Sequence, residues 1–415
     1  MGKRSRFKGG AETDYNAELK RLRRALRSLD LVDSRLDEVE WAGRVARYVG
    51  DDAVNEWMQG GRTDHDSVYD FTYQSFAHAM HFSVGWRSSP LAAECEWMLP
   101  RLSEAISRSK HSEPFLVELG AGPGAAAAIL SASLKVPIVA LDSHPKSLGL
   151  AEQFAERTGG LVESRLADAG ELAEVLEGKK PAAVFGLGFY GHFQPQRHTS
   201  SSFSFWADMQ RILKTYTVAP EVVSLTDALS GADLLLAEMA GPEHVAEIAA
   251  GLFQGGYEIP FGGMSRIKGA TPDRPTAVTA MHFTTGELPK RNPNLLIEMY
   301  SPLPRPLPRT ETDDDGLAEA LRLSLEPTEF IHGGELDYND GSGRLRYELF
   351  VWKNLAAHYR ATTNGFRHIK FLTRGELDSM LGQLIEENAT MTAANVVTQR
   401  ECRLPGPMWS RGLDH

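Results

Sequence analysis

The run most able to do chemistry is VELGAGPGA, residues 117–125. Gly120, Gly122 and Gly124 alternate with Ala121 and Pro123, directly after an apolar strand-like stretch and before an alanine-rich helical one. Glycine at a strand-to-helix turn lets the backbone bend sharply and lets a ligand approach without meeting a Cβ. Glu118 precedes the turn. A second apolar run, PIVALD, closes on Asp142 and is followed by Ser143. One carboxylate carries two acceptor oxygens and can take both hydroxyls of a ribose in a fork. A third acid, Asp168, lies between Ala167 and Ala169. The spacing Gly120-x-Gly122-x-x-Ala125 also satisfies the dinucleotide fingerprint, with Asp142 at the distance expected of its ribose-binding acid.

Further candidates sit elsewhere. GLGFYGHFQPQRH, residues 186–198, places Tyr190 and His192 just after a fourth apolar run. An imidazole there can take up a proton near neutral pH. Tyr69 and Tyr73 are one helical turn apart and share a face. Both are expected to line the same pocket. His78 and His81 have a spacing that binds zinc only with further ligands, and no third ligand is evident, so no metal is expected.

The elements that would position these residues change character along the chain. Residues 1–14 read as a disordered tail and 15–111 as a helical region or cap. Within it Leu19, Leu22, Leu26 and Leu29 form an apolar stripe, with arginines on the other sides. From 112 to 288, apolar runs at 115–120, 137–142, 161–168, 181–189 and 232–239 alternate with helical stretches, and further strands are expected near 256–260 and 276–283. That alternation predicts an α/β fold with a mostly parallel sheet covered on both faces. A segment of about thirty residues, from Gly191 to about Pro220 and including Trp206, reads as an insertion of the kind that forms lids. Residues 289–316 read as a proline-rich and acidic linker. The rest, 317–415, reads as a small α+β unit with a hairpin over 334–351. A helix is expected after Thr373 and Glu376.

Glu118 with the three glycines, Asp142 and Asp168 resembles the cofactor motifs of class I S-adenosylmethionine (SAM)-dependent methyltransferases, over about residues 112–285. The resemblance implies a Rossmann-like core with a mostly parallel seven-stranded sheet. It implies that Glu118 helps to bind the amino end of SAM, that Gly120, Ala121, Gly122 and Gly124 cradle it, and that Asp142 and Ser143 meet its ribose. Ala167 and Asp168 would meet its adenine. It also implies that the acceptor arrives beside Tyr190 and His192. The chain departs from many amino methyltransferases in having no (D/N)-P-P-(Y/F) motif there, which argues against adenine-N6 and glutamine-N5 chemistry. No subfamily is recognised.

Net charge is −11, so the chain has no global pull toward nucleic acid. Two cysteines exclude a disulfide scaffold. No apolar run is long enough to span a membrane, and the N-terminus has no apolar signal core. The expectation is a cytoplasmic methyltransferase acting at O or N of a small molecule or peptide, with homo-oligomerisation left open. The alternatives are an RNA or ribosomal methyltransferase, carried by the arginine-rich helix, a non-catalytic SAM-binding partner, and a nicotinamide-dependent oxidoreductase.

Overall fold

The computed structural model describes residues 8–32, 36–60, 65–85, 88–198, 211–260, 262–268 and 277–285, the strands of a second sheet between 329 and 401, and isolated positions from 376 to 386. Its centre is a seven-stranded sheet: β1 Leu116–Leu119, β2 Ile138–Asp142, β3 Val162–Leu166, β4 Ala183–Leu187, β5 Asp233–Glu238, β6 Met264–Lys268 and β7 Ala277–Phe283. The spatial order is β3-β2-β1-β4-β5-β7-β6. Neighbours from β3 to β5 run parallel, and β7 runs antiparallel to both β5 and β6. β1, β4 and β5 are buried throughout, which is why they read as mainly apolar runs, with Glu118, Asp233 and Glu238 as buried exceptions. β3 lies at the sheet edge with exposed positions, so its sequence VESRL is polar and its apolar signal weak.

The chain steps outward from β1 to β3 and then returns to β4 on the other side. This reversal leaves a crevice at the carboxyl ends of β1 and β4, where ligands gather in open α/β sheets. One expected strand is displaced. Residues 256–260 form no strand, their backbone making a single bridge between Glu258 and Thr284, and the strand forms at Met264–Lys268. Tyr257 and Ile259 are nonetheless buried, so their apolar character reports a packed loop.

A helical layer precedes the sheet. The helix Lys8–Ser28 begins inside the stretch read as a tail. It packs on the helix Ala125–Leu134, burying Leu22, Ala25 and Leu29. Each buried leucine contributes about 1.5–3 kcal/mol. Arg21 donates to the Ser133 carbonyl at 2.6 Å, and Arg23 lies 3.7 Å from Glu96. Helices Glu38–Val49, Asp51–Met58 and His65–Thr72 follow; a short turn Phe76–His78 runs into a π-helix Ala79–Val84, and a long helix Ser88–Arg108 ends the layer. Trp41, Trp57, Phe71 and Phe82 make a small core of their own: Phe82 lies 5.0 Å from Trp57 and 5.2 Å from Phe71, ring centre to ring centre.

At the far end of the sheet, Asp233 accepts from Arg108 at 2.5 Å, His282 at 2.8 Å and Thr284 at 3.1 Å. Burial alone would raise its carboxyl; His282 and Arg108 outweigh that and hold it below the ordinary value. This cluster fastens the last helix of the layer to β5 and β7. A second, antiparallel sheet contains β8 Glu329–Tyr338, β9 Arg344–Trp352, β10 Leu355–Thr362, β11 Arg367–Thr373 and β12 Val396–Glu401, in the order β11-β10-β9-β8-β12. β8 and β9 form the expected hairpin, with Leu336 opposite Leu345. The linker 289–316, Trp206 and most of the helix expected after Glu376 lie outside the described residues.

His81 sits in the π-helix with 0% exposure, 4.4 Å from the Tyr48 ring, and neither of its ring nitrogens has a hydrogen-bond partner among the described residues. Burial pushes its imidazole down to about 4, against the opposing pull of Asp30. The native state therefore holds a neutral ring, while the unfolded chain binds a proton below about pH 6.5. Stability from this group is complete above that pH and is lost as pH falls toward 4. Thermal melts should show a midpoint that drops from about pH 6.5 downward, and less steeply in His81→Phe. Superimposable profiles would show that His81 does not titrate with unfolding.

Candidate functional site

The glycine turn leaves β1 with Gly120, Gly122 and Gly124 at φ of +59°, +54° and +73°, and the helix starts at Ala125. These left-handed conformations strain any residue with a Cβ. The glycines then differ in what they face. A Cβ on Gly122 would stand 2.8 Å from the Tyr73 hydroxyl, on the ligand side. One on Gly124 would stand 2.5 Å from the Ala151 Cβ, between two helices. One on Gly120 would run into Phe189.

Asp142 closes β2 and ties the site together. Its Oδ2 accepts the Gly122 N–H at 2.7 Å and its Oδ1 accepts the His144 N–H at 2.8 Å. A carboxylate offers about four lone-pair positions, so each oxygen retains one for a ligand hydroxyl. Burial pushes its carboxyl up, while the backbone donors favour the charged form. Asp168, after β3, caps the turn 169–171: its Oδ1 accepts from Gly170 at 2.9 Å, and Glu171 accepts the Asp168 N–H at 2.7 Å.

These groups line one cavity of about 830 Å³, within the size range of small-molecule sites. Gly120, Ala121, Gly122, Asp142, Ser143, Ala167 and Asp168 all lie on its wall, as do Tyr69, Tyr73 and His192. The two tyrosine rings are 5.3 Å apart, and His144 lies 5.3 Å from Tyr73. Asp70 accepts from Lys146 and lies 3.8 Å from His144, fastening the helix His65–Thr72 to the loop after β2. Burial pushes the Tyr73 hydroxyl above its ordinary range.

Three of the expected site residues are placed away from the cavity wall. Tyr190 does not reach the cavity: its side chain is 0% exposed and packs against Phe189 and Phe193, and burial pushes its hydroxyl up. The residue begins the turn Tyr190–Phe193, whose direction rotates it into the core while His192 faces out. Glu118 is buried, is absent from the wall, and accepts the Ala127 N–H at 2.8 Å. On a strand flanked by β2 and β4, its side chain turns under the helix start. Gly124 serves helix packing and is likewise off the wall.

The sequence reading passed over several residues. Phe189, Phe193 and Arg197 line the end of the cavity beyond β4, and Asp66, Ser83 and Glu221 complete other parts. The segment after β4 is held by two buried acids from distant elements. Glu238 accepts from Tyr190 and Gly191 at 2.8 and 3.3 Å. Glu247 accepts the N–H groups of Arg197 and His198 at 3.1 and 2.5 Å, and meets the His198 ring at 2.8 Å. Neither acid lies in a motif; a buried glutamate in each of two apolar stretches was the only available signal.

No protein-family model matches the chain, and no curated protein matches it. Among solved structures it is similar to the magnesium protoporphyrin IX methyltransferase of Synechocystis with bound SAM, at 12% identity over 48% of this chain and 84% of that one, with a TM-score of 0.33. It is similar to the precorrin-6y C5,15-methyltransferase of Geobacter metallireducens, at 14% identity over 45% and 87% of the two chains and a TM-score of 0.30. It is also similar to the tRNA (uracil-54, C5)-methyltransferase of Pyrococcus abyssi, at 14% identity over 46% and 38% and a TM-score of 0.30. Values this low carry no weight for substrate or activity.

The second and third glycines of the turn should separate in experiment. Gly124→Ala should lower folding stability by about 1–3 kcal/mol, because its Cβ overpacks against Ala151. Both variants carry the strain of a left-handed φ, but Gly122→Ala meets only the movable end of Tyr73, so its loss of stability should be the smaller of the two and ligand binding should weaken beyond it. Calorimetry and denaturant melts on both variants test this; equal loss of stability would place Gly122 in the packing class as well.

Proposed function

We propose that the chain is a SAM-dependent methyltransferase acting at O or N of a small molecule or peptide. The observation that carries this reading is the charge of the cavity wall. Asp66, Asp142, Asp168 and Glu221 lie on the cavity wall, with Arg197 the one arginine or lysine on it among the described residues. A dinucleotide would bring a doubly charged pyrophosphate to this wall and be repelled. A sulfonium cofactor with a cationic amine suits it. The glycine turn beside the fork of Asp142 provides the cradle that a nucleoside cofactor requires.

Bound SAM would supply an electrophilic methyl group. The chain's task is then alignment, which alone can provide a large part of the acceleration. Asp142 would hold the ribose hydroxyls, and Asp168 the adenine amino group. The faces of Tyr69 and Tyr73 can stabilise nearby positive charge. His192, exposed at the cavity edge, can accept a proton that leaves the acceptor. The helix that would support an RNA substrate commits Arg21 and Arg23 to contacts within the chain. No helix among the described residues is long and apolar enough to cross a membrane.

Asp142→Ala should weaken SAM by about 1.5–3 kcal/mol in calorimetry. With an acceptor that must lose a proton, His192→Ala should slow single turnover by about 10²–10⁴-fold, while Tyr190→Phe should leave the chemical step unchanged. Tight NADH binding with no SAM binding would replace this reading by the oxidoreductase one.

A further inference from the structure

The proposed chemistry leaves Arg197 unused. Arg197 is an exposed residue of the cavity wall in company with His192, Phe189 and Phe193, and its guanidinium, whose charge also acts on the Tyr216 hydroxyl, makes no hydrogen bond or ion pair among the described residues. The backbone at this point is not free to drift. Glu247, with 0% exposure, accepts the N–H groups of both Arg197 and His198 and engages the His198 ring. A fully buried acid thus fixes the backbone that carries Arg197 at the cavity wall.

The acids of the wall have places of their own. Asp142 and Asp168 belong to the nucleoside end. The helix Pro220–Leu229, which carries Glu221 in its first turn, packs on the turn that Asp168 caps. Phe189 and Phe193, with ring centres 6.3 Å apart, supply apolar surface beside the arginine. A planar guanidinium beside aromatic walls matches an oxyanion on an apolar body, through two parallel N–H donors.

Resting on the methyltransferase reading, we propose that Arg197 anchors a carboxylate or phosphate group of the methyl acceptor, with Phe189 and Phe193 holding the acceptor's apolar part. Arg197 is then a specificity-determining residue, and the acceptor a small anionic molecule. The rival role for this cation is to hold the carboxylate of SAM itself.

The test is a set of titrations on the full-length protein, with and without S-adenosylhomocysteine. The probes are 4-hydroxybenzoate against 4-hydroxybenzamide, and phenyl phosphate against phenol, followed by ligand-observed NMR. At least one anion should bind about tenfold or more tightly than its neutral partner, and which pair shows this tells carboxylate from phosphate. Arg197→Gln should erase the preference without changing S-adenosylhomocysteine affinity or the circular dichroism spectrum. Arg197→Lys should retain part of it for the phosphate and less for the planar carboxylate. No preference in either pair, or a preference that survives in Arg197→Gln, overturns the proposal. So does a tenfold loss of S-adenosylhomocysteine affinity in Arg197→Gln, which would assign the guanidinium to the cofactor. If the wild-type protein ignores S-adenosylhomocysteine yet selects the anion, the methyltransferase reading falls and the anion site stands.

Discussion

The Asp142 carboxylate joins the two loops on which the cavity is built. By accepting the Gly122 N–H with one oxygen and the His144 N–H with the other, it fixes the glycine turn after β1 against the loop after β2. Neither loop has another regular partner at these amides, and a buried donor without an acceptor costs about 1–3 kcal/mol. The same residue still presents free lone pairs to the cavity. One half-buried side chain therefore joins the two loops and also stands on the cavity wall.

From that junction the rest of the site follows outward. The loop after β2 carries His144 and Lys146, and both meet Asp70 on the helix His65–Thr72. Through these contacts the helical layer is drawn over the glycine turn, and Tyr69 and Tyr73 become cavity wall. The adjoining π-helix brings Ser83 to the same wall; π-turns of this kind are frequent at functional sites. Across the cavity the logic differs. There the loop after β4 is irregular, and its amides are satisfied by carboxylates from β5 and the following helix, Glu238 and Glu247. One side of the cavity is thus held by ring contacts and a surface ion pair, the other by buried acids.

The contrast bears on how a sheet edge becomes a site. Wall groups after β1, β2 and β3 come from tight turns that immediately follow strands, so their positions are short-range consequences of the chain. Wall groups after β4 hang on a longer segment whose geometry depends on residues about fifty positions away. Such a segment can change its lining residues without disturbing the glycine turn, which is how one fold comes to host different sites.

What the sequence by itself determined is accordingly local. Apolar runs ending in Gly120, Asp142 and Asp168 announced strands, turns and the fork of Asp142, because strand burial and turn chemistry act over a few residues. β3 was faint because an edge strand need not be apolar, and the strand at Met264–Lys268 was displaced because Tyr257 and Ile259 are buried in a loop. Only the tertiary structure decided the facing of side chains. Glu118 looked like a ligand group and turns beneath the helix, where the Ala127 amide needs an acceptor. Tyr190 and His192 are two residues apart, yet the start of a helical turn sends one into the core and the other to the cavity. Arg197 gained its place from Glu247, a contact between segments that no local pattern encodes, since which face a residue shows depends on what packs against it.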